Sequence, residues 1–416
     1  MKAFRQIAVL ASAALMALIS GNAAATPIDL DNLDWSVQIV IGENDTPFND
    51  PSGAPESQAV FPRDNRGLAL SHDGAFLYAG YNTSKRNEDG FLDGGGNIKG
   101  EVRRIDLSFS GNVAPFVSRV TGFRGKAIAT DDSNSGRVYL AEGSTIQIRS
   151  ADLQTALGEI TGLTTAEGIA VVREGPALVA FVSDRTDKTL SKFILTESGP
   201  LITAATLDTS FNTAGATPGV LDLSALNPDL RGVEVGGDGR IWVADKANDL
   251  VHRVSADGLA IISIPVDNPI DIGLDGNTVL VTRYTDRLIS RFDADSLDFG
   301  LDIEVPWDDL LDPLGLDEDG QSGTGALSQI AVLPSVGFFV ANEGGQTNIN
   351  YPQYEDDNEP ILFAGNPTDV PEPGTLLLMG LALVILGAAG LHNRRRLLRI
   401  PARRSPSPAA GKDKLN

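Results

Sequence analysis

Short runs of β-branched and aliphatic residues, separated by turn residues, recur along most of the chain. The stretch from Arg231 to Val266 shows the unit most clearly, with apolar runs at 232–235, 240–244, 250–255 and 259–266. The breaks between the runs contain Gly-Asp-Gly, Asn-Asp and Asp-Gly, and Asp-Gly between β-branched runs is a strong hairpin signal. The pattern therefore predicts four antiparallel strands that follow one another as a meander.

Five other segments show the same order of a small apolar run, a turn and a stronger β run. A lone four-stranded sheet buries its faces poorly, whereas sheets packed around an axis bury both faces. We therefore predict an all-β, six-bladed β-propeller over residues 26–368. The five segments begin at Arg66, Lys126, Glu167, Ile270 and Ser328.

The two ends of this domain leave the number of blades open. Residues 34–41 and 361–364 are further β-type runs outside the six units. A separate unit that contains them would make seven blades. Pairing of the two runs would instead close a ring of six with strands from both ends, and we favour this pairing.

The blade pattern resembles that of NHL, SMP-30 and related six-bladed propellers, whose repeats follow the form GIAVDxxGxIYVADxxxxxVxxFD. The resemblance extends over all six units and is not specific to one family. In such propellers the first strand of each blade lines the central channel. Side chains on the first strands are therefore the first candidates for a functional site.

The N-terminus has the order of a secretory signal peptide, predicted over residues 1–25. Lys2 and Arg5 supply a basic start, and an apolar stretch runs from Ile7 to Ile19. Three alanines then end at Ala25, where we expect cleavage, because small residues mark the cleavage site. The alternative is an N-terminal membrane anchor.

The C-terminus contains an uncharged apolar run at residues 375–391. As an α-helix this run would span roughly 25 Å, which is enough for a thin bilayer. Arg394, Arg395 and Arg396 follow, and arginines beside a membrane segment favour the cytoplasmic side. The pattern predicts a single transmembrane helix that leaves the propeller outside the inner membrane.

The motif Pro371-Glu372-Pro373-Gly374 stands directly before this helix. The order of motif, helix and arginines over residues 369–396 resembles the PEP-CTERM sorting signal. The resemblance implies recognition by exosortase, a membrane protease-transpeptidase of Gram-negative bacteria, with cleavage near Pro-Glu-Pro and delivery to the cell surface, often with exopolysaccharide. The alternative is a permanent single-pass anchor.

Beyond the motif, residues 397–416 form a basic polar tail that is longer than such signals usually carry.

The charge of the chain is concentrated in its middle. The formal net charge is −22, but both termini are basic, so the part between them carries 23 basic and 54 acidic residues. A body this acidic repels nucleic acid and anionic headgroups and attracts cations, so we expect no nucleic-acid partner. The chain has no cysteine, which excludes disulfides, thiolate metal sites and a cysteine nucleophile.

Standard catalytic motifs are missing from the sequence. It has no Gly-x-Ser-x-Gly elbow and no Walker phosphate loop. The three histidines are His72 in a turn, His252 in the third strand of a blade and His392 in the tail. We expect His72 to be solvated and His252 to face the surface. A histidine-rich zinc site is excluded, and a histidine-dependent triad nearly so.

Carboxylates on the first strands are the remaining candidates for chemistry. Glu167, Glu234 and Asp271 fall on or beside such strands, and Asp131 follows another. If they converge on one channel mouth, they could hold Ca²⁺, which takes six to eight oxygen ligands. Calcium-dependent lactonases of the SMP-30 type use central carboxylate ligands, and "AEGIAV" at Ala166 resembles the opening of esterase-like or phytase-like domains. We favour the simpler interpretation of hydrogen-bonding or solvated residues.

Two functional hypotheses follow. In the first, the protein is exported by the secretion machinery, passes the inner membrane, is sorted by exosortase, and acts at the cell surface or in the matrix. Its propeller is then a binding or structural module associated with exopolysaccharide or surface proteins. In the second, it is a Ca²⁺-dependent hydrolase, lactonase-like or phytase/esterase-like, that uses Glu167, Glu234 and Asp271 at the propeller axis. We favour the first.

Overall fold

The structure, a computed structural model, describes residues 27–39, 60–86, 100–107, 116–123, 125–132, 136–306, 327–342 and 361–365. These residues form β-strands, turns and two short 3₁₀ segments at Ser224–Leu226 and Lys246–Asn248. Across the described ranges, no helix is long and apolar enough to cross a bilayer. The predicted signal peptide and membrane helix, residues 1–25 and 375–391, lie outside those ranges.

The strands form six antiparallel sheets, and each sheet is one blade. Blade 1 contains β2 (Val60–Leu70), β3 (Phe76–Arg86), β4 (Glu101–Asp106) and β5 (Phe116–Thr121). Blade 2 contains β6 (Ile128–Thr130), β7 (Val138–Glu142), β8 (Thr145–Arg149) and β9 (Ala156–Ile160). Blade 3 contains β10 (Ala166–Glu174), β11 (Ala177–Asp184), β12 (Thr189–Ser198) and β13 (Leu201–Leu207), with β14 (Val220–Asp222) added beside β12.

The other three blades follow the same plan. Blade 4 contains β15 (Leu230–Val235), β16 (Ile241–Asp245), β17 (Leu250–Val254) and β18 (Ile261–Pro265). Blade 5 contains β19 (Pro269–Asp275), β20 (Thr278–Arg283), β21 (Leu288–Asp293) and β22 (Ile303–Glu304). Blade 6 contains β23 (Leu327–Leu333), β24 (Gly337–Asn342), β25 (Ile361–Gly365) and β1 (Asp34–Ile39).

The two ends of the domain meet in blade 6. Strand β1 pairs with β25 in antiparallel register, with Asp34 opposite Gly365 and Trp35 opposite Ala364. The outermost strand of the last blade thus comes from the start of the chain. The ring of six blades closed by both ends is confirmed, and the alternative of seven blades is wrong.

The inner strands β2, β6, β10, β15, β19 and β23 contact one another in sequence and close the ring around the axis. Glycine permits the closest approaches. A Cβ atom added at Gly168 would lie 2.3 Å from the carbonyl oxygen of Arg231 on the next blade. Apolar side chains fill the spaces between neighbouring blades, as where Tyr139 of blade 2 and Ile169 of blade 3 share one buried cluster.

Every inner strand follows the outer strand of the preceding blade, so all six inner strands start at the same face of the ring. The turns that join the second and third strands of each blade lie at this face too. We call it the mouth face. The turns between the first and second strands lie at the opposite face.

Candidate functional site

Strand register shows which residues occupy equivalent levels around the channel. Leu68, Ile128, Ile169, Val233, Ile272 and Ile330 each pair with a buried residue of the second strand at the same level. Two residues earlier, near the mouth, the six blades carry Arg66, Lys126, Glu167, Arg231, Ile270 and Ser328. Three of these six are basic, in a protein whose body is strongly acidic.

Glu167 lies at this level on blade 3, and its side chain is only 4% exposed. Its carboxylate faces three cations. Lys126 of blade 2 places Nζ 2.6 Å from Oε1, and Arg231 of blade 4 places Nη1 3.5 Å from Oε2. Arg185, in the turn between β11 and β12, has Nη1 4.0 Å from Oε1. The charge of Glu167 is therefore neutralised by residues of three successive blades.

Asp229, directly before β15, completes this group. Its Oδ1 lies 2.6 Å from Nε of Arg185, and its Oδ2 accepts a hydrogen bond of 2.8 Å from Nη2 of Arg231. We call Lys126, Glu167, Arg185, Asp229 and Arg231 the mouth cluster. It contains three cations and two carboxylates, and it links blades 2, 3 and 4 at the channel entrance.

Asp131, another predicted candidate, lies at the opposite end of its inner strand. Its Oδ2 accepts hydrogen bonds from Nε of Arg137 at 2.6 Å and from the Tyr139 hydroxyl at 2.7 Å. Arg137 also donates to Glu197 of blade 3 at 2.6 Å, and Arg173 lies 3.0 Å from the other oxygen of Glu197. We call these five residues the Arg137 brace. It joins blades 2 and 3 and leaves Asp131 no role in the channel mouth.

Glu234 is an exception at its level of the ring. The equivalent positions carry Ala or Gly in the other five blades, so Glu234 is the large polar side chain among small ones. Its Oε1 accepts a hydrogen bond of 3.1 Å from the N–H of Val235. The Glu234 side chain is half-buried, on a strand that lines the channel. Protein atoms nevertheless crowd its carboxyl group, and this desolvation of the charged form raises the pKa of Glu234 to about 7.

Asp271 lies on the neighbouring inner strand, in blade 5. Its Oδ2 accepts a hydrogen bond of 3.1 Å from the N–H of Ile330 in blade 6. Burial raises the pKa of Asp271 to about 8, and the charge of nearby Glu234 adds to the shift. Glu234 and Asp271 therefore form an interacting pair of carboxyl groups in the channel wall.

The four predicted carboxylates thus occupy three separate places. Within the described part of the chain, no three His, Cys, Asp or Glu side chains come together as a metal site would require. Glu167 is already paired with cations, and Glu234 with Asp271 supplies two carboxyl groups. This donor set does not fit a Ca²⁺ ion with six to eight oxygen ligands.

His252 corrects a sequence prediction, because it is fully buried instead of facing the surface. Its Nδ1 lies 3.0 Å from the Ser263 hydroxyl, and its Nε2 lies 3.2 Å from Oδ2 of Asp245. Asn248 also donates to Asp245, at 2.6 Å. The prediction failed because both faces of a propeller strand are covered. Val243, which pairs with His252, packs in a buried cluster that blades 3 and 4 share.

The order Ser263–His252–Asp245 is that of a nucleophilic relay, which sequence reasoning had nearly excluded. Ser263 lies on β18, the outermost strand of blade 4, whereas catalytic sites are concave and enclose their substrate. Burial raises the pKa of Asp245, but the hydrogen bonds from His252 and Asn248 and from a backbone N–H outweigh it and hold this pKa below its usual value. We interpret the relay as a structural tie across three strands.

The sorting signal is decided by comparison with known families. The model of the PEP-CTERM protein-sorting motif matches residues 369–396. The chain carries a PEP-CTERM motif at its C-terminus. The PEP-CTERM motif indicates export, processing by exosortase and a membrane-anchored sorting signal, and a location at the cell surface is consistent with it.

Other comparisons concern the whole chain and its fold. No curated protein matches its sequence. Regucalcin from Agrobacterium tumefaciens, a calcium-binding protein, is 12% identical, with a TM-score of 0.44 over 74% of this chain and 93% of its own. Virginiamycin B lyase from Staphylococcus aureus is 14% identical, with a TM-score of 0.41 over 73% and 94%. At such values the likenesses say nothing about activity.

Proposed function

We propose that the protein is sorted by exosortase to the cell surface, where its propeller acts as a non-catalytic binding module associated with exopolysaccharide. The observation that carries this proposal is the mouth cluster. Glu167, one of the carboxylates predicted as a metal ligand, is held by Lys126, Arg185 and Arg231. An ion-paired, polar mouth is suited to holding a ligand by hydrogen bonds and charge.

The sorting motif supports the location. A protein that exosortase cuts near Pro371–Gly374 leaves the inner membrane and arrives where exopolysaccharide is assembled. The acidic body also supports this location, because its charge repels nucleic acid and anionic lipid headgroups. Propellers serve catalysis and binding alike, so the function depends on the site and not on the fold.

The first experiment tests sorting in the native host. We expect mass spectrometry of the mature protein to find a C-terminus near Pro371–Gly374. Replacement of Pro371, Glu372 and Pro373 by alanine should retain the uncut chain in the membrane fraction. Pro401→Ala, in the basic tail, is the matched control and should be processed normally. A wild-type chain that keeps residues 375–416 would contradict the proposal.

The second experiment tests association with the matrix. Cells are treated with a glycosidase that degrades their exopolysaccharide, and the protein is followed by immunoblot in the cell, matrix and medium fractions. The proposal expects the protein to move from the matrix to the medium as the polysaccharide is degraded. A distribution that does not respond to the treatment would refute association with exopolysaccharide.

A hydrolase at the channel wall is the second candidate, because Glu234 and Asp271 have pKa values raised to about 7 and about 8. A carboxyl group that titrates near neutrality is suited to general acid–base work. A panel of lactones, phosphomonoesters and carboxylic esters tests it, with and without added Ca²⁺. Turnover that is lost in Glu234→Gln would favour this candidate, and no turnover of any substrate would remove it.

A further inference from the structure

We propose that the mouth cluster binds the carboxylate groups of an acidic polysaccharide, so that the ligand is a uronate-containing chain. This inference rests on the proposed function and specifies the chemistry of the ligand. It concerns Lys126, Arg185 and Arg231, which sequence analysis did not single out as a site.

The charge balance at the mouth is the first argument. The cluster contains three cations and two carboxylates, so internal ion pairs leave it with a positive charge. The nearby Asp184 directs its carboxylate to the backbone, because its Oδ2 accepts hydrogen bonds from the N–H groups of Thr164 and Thr165.

Hydrogen-bonding capacity is the second argument. The Nε atom of Arg231 is buried and has no hydrogen-bond partner among the described residues. Arg185 pairs with Asp229 through Nε, but its Nη1 lies 4.0 Å from Glu167, which is beyond a hydrogen bond. The guanidinium fork of Arg185 therefore has donors to offer an incoming carboxylate, which matches it in a bidentate manner.

Accessibility is the third argument. The side chain of Arg185 is 44% exposed, whereas those of Lys126 and Arg231 are largely buried. A ligand can therefore reach Arg185 from solvent. Lys126 and Arg231 hold the carboxylates of Glu167 and Asp229, and these carboxylates orient Arg185. The arrangement has two largely buried cations and one reachable cation at the channel entrance.

The acidic body restricts the kind of anion. The surface outside the cluster repels dense polyanions such as nucleic acid, whose phosphates are closely spaced. A uronate chain is less densely charged than a duplex with one phosphate per about 1.7 Å of axis, so one carboxylate can enter the mouth while the uncharged hydroxyls of the sugars hydrogen-bond around it. The cell-surface location indicated by the sorting motif brings such chains within reach.

Calorimetric titration of the mature protein, purified from its host, tests the inference. The probes are polygalacturonate oligomers and dextran oligomers of matched length, in buffer with EDTA to remove bridging cations. We expect polygalacturonate to bind and dextran not to bind, with an affinity that falls as salt rises from 50 to 300 mM. Arg185→Gln should weaken binding about tenfold, or about 1.4 kcal/mol, because it removes one charge-assisted hydrogen bond to the carboxylate.

Arg240→Gln is the matched control, because Arg240 is also a partly exposed arginine paired with two aspartates, Asp238 and Asp295, but it lies at the opposite face. It should bind like wild type. Equal binding by Arg185→Gln and wild type, or equal binding of dextran, would overturn the inference. In either case, release of the protein by glycosidase treatment would still support the proposed function, so the two failures are distinguishable.

Discussion

Two ion-pair networks hold blade 3 to its neighbours, at opposite faces of the ring, and they are built differently. The Arg137 brace surrounds a side chain that is 1% exposed, and both carboxylates it contacts accept short hydrogen bonds of 2.6 Å. The mouth cluster also has three contacts of 2.6–2.8 Å, but it adds ion pairs of 3.5 and 4.0 Å, a buried donor without a described partner and a half-exposed arginine. The same residue types thus form a closed network at one face and an open one at the other.

This difference suggests how to distinguish charged residues that only stabilise the fold from charged residues that can also bind a ligand. A network whose donors and acceptors are all used can only stabilise the fold. A network with donors left over, at a place that solvent reaches, can also bind a ligand. Predictions that remove members of each network test this distinction, because stability should depend on the brace and ligand affinity on the mouth.

The largest effect is expected from Arg137→Met. The substitution leaves the buried carboxylate of Asp131 without its cation, so the free energy of unfolding should fall by about 3–5 kcal/mol. Urea unfolding followed by circular dichroism measures it. The double variant Asp131→Asn with Arg137→Met removes both charges and should recover part of the loss. A single variant as stable as wild type would show that the brace does not stabilise the blade pair.

The next effect concerns the relay in blade 4. His252→Leu removes one partner of the buried Asp245 carboxylate, which should cost about 1–3 kcal/mol of unfolding free energy. Ser263→Ala is the control, since it removes one neutral hydrogen bond at an exposed position and should cost less. If Ser263→Ala proved the more damaging of the two, the relay would not be the tie across strands that we describe.

A pH dependence follows from Glu197, the part-exposed acid of the brace. Hydrogen bonds from Arg173 and then Arg137 lower its pKa from 4.5 to about 2. A carboxyl with a lowered pKa stabilises the fold above its unfolded value, and this contribution is lost as the pH falls from about 4.5 towards 2. Glu197→Gln should flatten the loss of thermal stability across this window. An unchanged slope would contradict the contact.

The smallest effect on stability is expected at the mouth. Arg185 is half-exposed, and surface ion pairs contribute less than about 1 kcal/mol, so Arg185→Gln should unfold nearly like wild type. Thermal denaturation measures this, beside the titration with polygalacturonate. A large loss of stability would make the mouth cluster a second brace and would remove the contrast with the Arg137 network.

The architecture could be predicted because turn chemistry is local. Asp-Gly breaks between β-branched runs mark the strands of blade 4. The β-type runs at the two ends of the domain, 34–41 and 361–364, belonged to no unit, so their pairing was a way to close the ring. The interior orientation of His252 could not be predicted by alternation, because neighbouring blades cover both faces of a strand. A rule that assumes one solvated face does not hold there.

The candidate site was predicted only in part, for a related reason. Sequence reasoning identified Glu167 on an inner strand, but its partners come from other blades and from a turn, and no local pattern connects Arg185 or Asp229 to it. One signal was available. Basic residues recur just before the first apolar run in three units, at Arg66, Lys126 and Arg231. Aligning the repeats by their inner strands would have shown a basic mouth.

The closure of blade 6 has a mechanical consequence. Strand β25 lies between β24 and β1, so it is hydrogen-bonded on both sides. It is also the last described strand before the sorting motif. If the cell holds the mature protein by its C-terminus, drag from flowing water pulls on an interior strand. Two ladders must then shear together before the tether can unravel the ring, whereas an outermost strand would peel away one bond at a time.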